Sequence, residues 1–126
     1  MIETSLENII QVPVSLMEAF LLVVDDHRQI RAEPVLRLDM AWDNELTIKG
    51  WFWPQTIFLL RVNPAMSVVV VHLQNHGSYQ INGECLRMRE VAFLDRLAPI
   101  ERQQPFPQTL VELTLAVDEV KEVRRV

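Results

Sequence analysis

Apolar and polar residues alternate with a period of two over most of this chain, the mark of strands with one face turned to a core. The alternation is cleanest in residues 45–52, where Leu46, Ile48 and Phe52 oppose Thr47, Lys49 and Trp51. It is equally regular in residues 110–117, where Val111, Leu113, Leu115 and Val117 share a face. Residues 17–24 and 65–73 are more continuously apolar and predict buried strands. In residues 30–38, Ile30, Ala32, Leu36 and Leu38 fall on one face and Arg31, Glu33, Val35 and Arg37 on the other, predicting a half-covered strand. Pro34 has no N–H for a ladder and demands an edge position or a bulge. Residues 79–89 form a long strand whose alternation slips at Cys85-Leu86, as a β-bulge would cause.

Helical signals are few. Thr4 with Glu7 makes a possible capping box, and Leu6, Ile9 and Ile10 give a short helix one apolar face before Pro13 stops it. Pro54 suits the first turn of a second short helix, since its missing N–H would be unpaired there, and that helix ends before Asn63-Pro64. Val91, Leu94 and Ala98 recur at helical spacing and predict a further modest helix over residues 90–98. Residues 99–107 carry three prolines and little pattern, and read as a loop. Turns are expected at Asp25-Asp26-His27-Arg28, Asp43-Asn44 and Asn75-His76-Gly77-Ser78. Six strands with two or three short helices between them predict a mainly β chain, a small antiparallel barrel with helical plugs, in a single domain over residues 1–126.

Composition narrows the function classes. A chain of 126 residues with 49% apolar and 23% charged residues has enough apolar material for one core and is not disordered. Net charge is −5, and the basic residues are scattered apart from Arg87/Arg89 and Arg124-Arg125, which argues against a nucleic-acid footprint. The N-terminus lacks the basic start and apolar run of a secretion signal, and no apolar stretch is long enough to span a bilayer, so a cytoplasmic protein without a membrane partner is expected. The single Cys85 excludes an intramolecular disulfide and a cysteine-cluster metal site.

Candidate chemistry gathers in residues 46–73. The turn Gly50-Trp51-Phe52-Trp53-Pro54-Gln55-Thr56 sets flat apolar faces beside the free N–H donors of a helix start, which suits a planar ligand with an anionic tail. Trp51 and Trp53 suit equally the covering of a barrel end or a subunit interface. His72 and His76 have the spacing of a helical metal pair but fall at a strand end and a turn, so no metal site is expected. No serine elbow and no phosphate-binding glycine loop is present among three glycines.

The order of these parts resembles the FMN-binding split barrels related to pyridoxamine 5′-phosphate oxidase, in particular the small bacterial FMN-binding proteins, over nearly the whole chain. The carriers are Phe20-Leu-Leu-Val-Val-Asp-Asp, a strand containing Pro34-Val35, Gly50 through Gln55-Thr56, Leu60-Arg-Val-Asn-Pro64, the strand 66–71, and Tyr79-Gln-Ile-Asn-Gly83-Glu84. The resemblance implies a six-stranded antiparallel split barrel and a homodimer with FMN at its interface. The ring would be lined by Pro34, Val35 and Leu36 from one strand and by Gly50, Trp51 and Phe52 from another, and Thr56 matches the phosphate-binding hydroxyl. The position before that threonine is usually lysine or arginine in the family, and here it is Gln55. A charge-assisted contact replaced by an amide weakens phosphate binding by on the order of 1–3 kcal/mol. Arg37, Lys49 and Arg61 are candidates to supply the missing cation.

If the chain is an enzyme, the resemblance makes it an NAD(P)H-linked flavin or quinone-type reductase, or an electron carrier, with no side chain acting as acid, base or nucleophile. The alternative is a non-catalytic split-barrel dimer, or one holding heme or a deazaflavin in the same groove.

Overall fold

The strictest alternators in the sequence form the centre of the barrel. In a computed structural model, which describes residues 6–42, 44–74, 76–93 and 108–123, the strands are β1 Met17–Val24, β2 Ile30–Pro34, β3 Arg37–Trp42, β4 Glu45–Phe52, β5 Ala65–His72, β6 Ser78–Phe93 and β7 Thr109–Val123. Helix α1, Leu6–Ile10, precedes them, and α2, Pro54–Val62, joins β4 to β5.

All strand pairs are antiparallel, in the order β2-β1-β5-β6-β7-β4-β3. The two end strands are successive pieces of one run, linked by Val35 and Leu36. Val35 N–H donates to the Ala19 carbonyl of β1, and Leu36 N–H donates to the Lys49 carbonyl of β4, both at 2.8 Å. The run therefore leaves one end of the sheet and joins the other, closing a six-run barrel that is split where the run changes partner.

Inward side chains follow the predicted alternation in β4 and β7, and burial alternates in β1 and β5 as well, where the sequence reads as continuously apolar. Leu21, Leu46, Ile48, Phe52, Val68, Val70, Ile81, Val111, Leu113 and Leu115 are fully buried. One end of the core is covered by α1, whose Ile9 is buried and whose Ile9 carbonyl lies 2.7 Å from His72 Nε2. The other helix, α2, buries Thr56, Ile57 and Leu60.

Two expectations are corrected. In residues 30–38 the strand breaks at Val35-Leu36, Ile30, Ala32, Pro34 and Leu36 are exposed, and Glu33 is buried. The change of partner resets the pleat, so Glu33 and Leu38, five positions apart, both turn inward. Pro34 does end an edge strand. The helix expected over residues 90–98 is strand as far as Phe93: β7 offers a free edge, and Glu90, Ala92 and Phe93 pair with Val111, Leu110 and Thr109. The remainder of that helix, the loop 99–107, Thr4, Asp43 and Asn75 lie outside the described residues.

The slip at Cys85 is a real register shift between Cys85 and Arg87, with two more at Asn82/Gly83 and Glu90/Ala92. Gly83 is required at the first of these, since a Cβ there would collide with the Ala116 carbonyl across the ladder.

Candidate functional site

Where the run 30–42 changes partner, Pro34, Val35 and Leu36 meet Trp51 and Gln108 around a cleft of about 300 Å³. The cleft exists because β4 carries outward Trp51 next to the split, and Gln108 Nε2 holds the Trp51 carbonyl at 3.2 Å. Behind it, Gly50 is tightly enclosed. A Cβ at this position would lie 2.7 Å from the Phe52 ring and 3.3 Å from the Pro34 carbonyl oxygen, so glycine lets β4 and the end of β2 approach. Phe52 itself points into the core and is fully buried.

A second cavity, of about 480 Å³, lies at the start of α2 between Gln55, Pro54 and Phe58 and the β1–β2 turn. Asp25 builds that turn: its Oδ1 accepts from the His27 and Gln29 N–H groups at 2.8 and 2.9 Å, and Arg28 takes a left-handed conformation at φ 60°. Asp25, Asp26 and Arg31 all line this cavity. Arg31 Nε donates to Thr56 Oγ1 at 3.2 Å, and Thr56 is completely buried beneath the cavity. Next along β2, Glu33 is 5% exposed. Its Oε1 accepts the Trp53 N–H at 2.9 Å, while its buried Oε2 has no hydrogen-bond partner.

Arg37 and Lys49 face each other in the β3–β4 ladder on a groove with Leu38 and Asp39 that adjoins the cleft at Leu36. Arg37 is paired with Asp39 at 2.7 Å, and Arg61 with Glu90 at 3.4 Å. The structure thus brings Pro34, Val35, Leu36 and Trp51 together, puts Gln55 at a second cavity beside buried Thr56, and leaves Arg37 and Lys49 on a groove that meets the cleft only at Leu36. Sequence reasoning missed Arg31, Glu33 and Gln108. The available signal was the pair of charges two apart on one face of a short strand, which places both on the same side of the pleat.

Burial pushes the half-buried Cys85 thiol above its ordinary range, a backbone hydrogen bond at Arg87 pulling the other way. Among the described residues no group of three metal-capable side chains is found, and no helix is long and apolar enough to cross a membrane. His72 is used by its contact with the Ile9 carbonyl and a tilted ring contact with Tyr79, whereas His76 occupies a left-handed turn.

No protein-family model and no curated protein matches the chain. Solved structures do match. HupZ from Group A Streptococcus has a TM-score of 0.63 at 15% identity, covering 98% of this chain and 94% of its own. A Clostridium acetobutylicum protein related to general stress protein 26, of the pyridoxinephosphate oxidase family, has a TM-score of 0.62 at 11% identity, covering 90% of this chain and 82% of its own. An FMN-binding protein from Syntrophomonas wolfei has a TM-score of 0.57 at 14% identity, covering 95% of this chain and 84% of its own. With partner-switching strands, a plugging α2 and these likenesses, the chain has the split-barrel fold of the pyridoxine phosphate oxidase-like proteins.

Proposed function

We propose that this chain is a flavin-binding protein that works as a homodimer, either as an oxidoreductase using NAD(P)H or as an electron carrier, with FMN the first flavin to test. The observation that carries the reading is the cleft of about 300 Å³ at the barrel's split, where the Trp51 indole, Pro34 and exposed Leu36 offer an apolar slot beside strand backbone. Such a slot suits a planar ring. The likeness to an FMN-binding protein supports the same ligand class.

Pro34, Val35, Leu36 and Trp51 would hold the ring, with Gly50 keeping the two strands close behind it. Bound flavin would supply the electron-transfer chemistry, and the chain's own contribution is to bind, orient and exclude water. Leu36 is 56% exposed at the cleft, and a second copy covering it would complete the site.

The test is reconstitution of the purified protein with FMN, followed by sizing. The expected result is a retained yellow chromophore, absorbing at roughly 450 nm as flavins do, on a particle of dimer mass. Protein that stays colourless after FMN addition contradicts the reading. A monomer across micromolar concentrations removes the shared cleft.

A further inference from the structure

The residues at the start of α2 do not suit a phosphate. Resting on the flavin reading above, we infer that Glu33 makes this site indifferent to the 5′-phosphate, so that its α2 end takes an uncharged, hydroxyl-bearing end of the ligand and riboflavin binds at least as tightly as FMN.

The N-terminal pole of α2 attracts an anion, and the chain has already placed its own there. Trp53, the residue before the first helical turn, makes no side-chain cap, and its N–H is taken by Glu33 Oε1 at 2.9 Å. The carboxylate is 5% exposed, and its second oxygen is buried without a partner. The helix pole that would draw a phosphate is therefore already occupied by a carboxylate. A sugar-alcohol hydroxyl donates, while a phosphate dianion only accepts.

The neighbouring charges act in the same direction. Asp25 and Asp26 stand on the wall of the cavity, Gln55 is neutral, and Arg31 is the cation lining it, already hydrogen-bonded to Thr56. A phosphate entering here would meet the carboxylates of Asp25 and Asp26, the His27 ring and a single guanidinium, at a helix start whose N–H the buried Glu33 carboxylate already holds. Arg31 at this cavity and Pro34 at the Trp51 cleft are three residues apart on one strand, about 10 Å, a span within reach of the side chain of a ring-bound flavin.

The experiment is calorimetric titration of the full chain with riboflavin and with FMN at low salt, for the wild type and for Glu33→Gln, which keeps an acceptor for the Trp53 N–H and removes the charge. The expected wild-type preference for FMN over riboflavin is about one or less, rising roughly tenfold in Glu33→Gln. Asp26→Asn, at an exposed turn position, shifts the ratio the same way by a smaller factor and serves if Glu33→Gln does not fold. A wild-type preference for FMN of about tenfold or more, or a ratio that these substitutions leave unmoved, overturns the inference.

If neither flavin binds, the flavin reading fails, and inorganic phosphate decides the electrostatic claim separately. Wild-type melting unmoved by millimolar phosphate, with stabilisation appearing in the charge-removing variants, supports the claim. Stabilisation of the wild type by phosphate overturns it.

Discussion

β4 and β2 are both short alternating runs beside the split, and they meet the barrel interior in opposite ways. β4 is paired on both edges and sends Leu46, Ile48 and Phe52 inward, all fully buried. β2 has one ladder partner, β1, and sends Arg31 and Glu33 toward α2 while Ile30 and Ala32 face solvent. The first arrangement is what a hydrophobic pattern encodes. The second is stable because polar atoms find specific partners, Thr56 Oγ1 for the guanidinium and the Trp53 N–H for the carboxylate. Stability is concentrated where the pattern is obeyed, and the candidate ligand contacts where it is reversed.

The largest effect expected from this contrast is in the strands around β4. Leu113→Ala removes a fully buried side chain of β7 and should cost about 2–5 kcal/mol, read as a lower denaturation midpoint at unchanged slope. The matched substitution Ile30→Ala, at a residue 66% exposed in β2, should stay within about 0.5 kcal/mol. Equal losses in the two variants would mean that the faces of β2 are the reverse of those described.

Next in size is Glu33→Ala. It leaves the part-buried Trp53 N–H without its acceptor and should cost about 1–3 kcal/mol, with faster amide exchange at Trp53 and unchanged protection in β7. Uniform loss of protection would instead make Glu33 a core residue like any other.

β6 offers an intermediate case through its half-buried thiol. Because Cys85 is raised by burial, the folded state holds the thiol proton more tightly than the unfolded chain. Its contribution to stability is present below the ordinary thiol range and is lost as pH rises through the folded value. Alkylation by iodoacetamide near pH 8 should be several-fold slower in the native protein than in denaturant, and equal rates would contradict the assignment.

The smallest effect belongs to the exposed Arg37–Asp39 pair, whose side chains are 65% and 50% exposed. Arg37→Ala should change stability by about 0–1 kcal/mol and leave flavin affinity unmoved, since Arg37 lies on a different groove from the Trp51 cleft.

The barrel was legible in the sequence because period-two burial dominates five of its six runs, and the limits of β1, β4 and α2 coincide with the hydrophobic pattern and with Pro54 and Asn63-Pro64. The bulge at Cys85 was legible for the same reason. The faces of residues 30–38 were not, because a change of ladder partner leaves no compositional trace and turns an alternating pattern inside out. The strand over residues 90–93 was hidden too, since Val91, Leu94 and Ala98 suit a helix locally, and pairing with β7 overrides that reading as far as Phe93. Within the candidate site, Pro34, Val35, Leu36 and Trp51 could be grouped by resemblance. The spacing of Arg31 and Glu33 puts them on one face of β2, but what α2 presents to that face is a tertiary fact that the spacing does not contain.

The most direct test of the account is titration of a flavin's fluorescence with the wild-type protein and with Trp51→Ala. Saturable quenching by the wild type, with affinity reduced about tenfold or more when the indole is removed, is the predicted result. Quenching that Trp51→Ala leaves unchanged, or none at all in the wild type, would contradict a ring held in the cleft at the barrel's split.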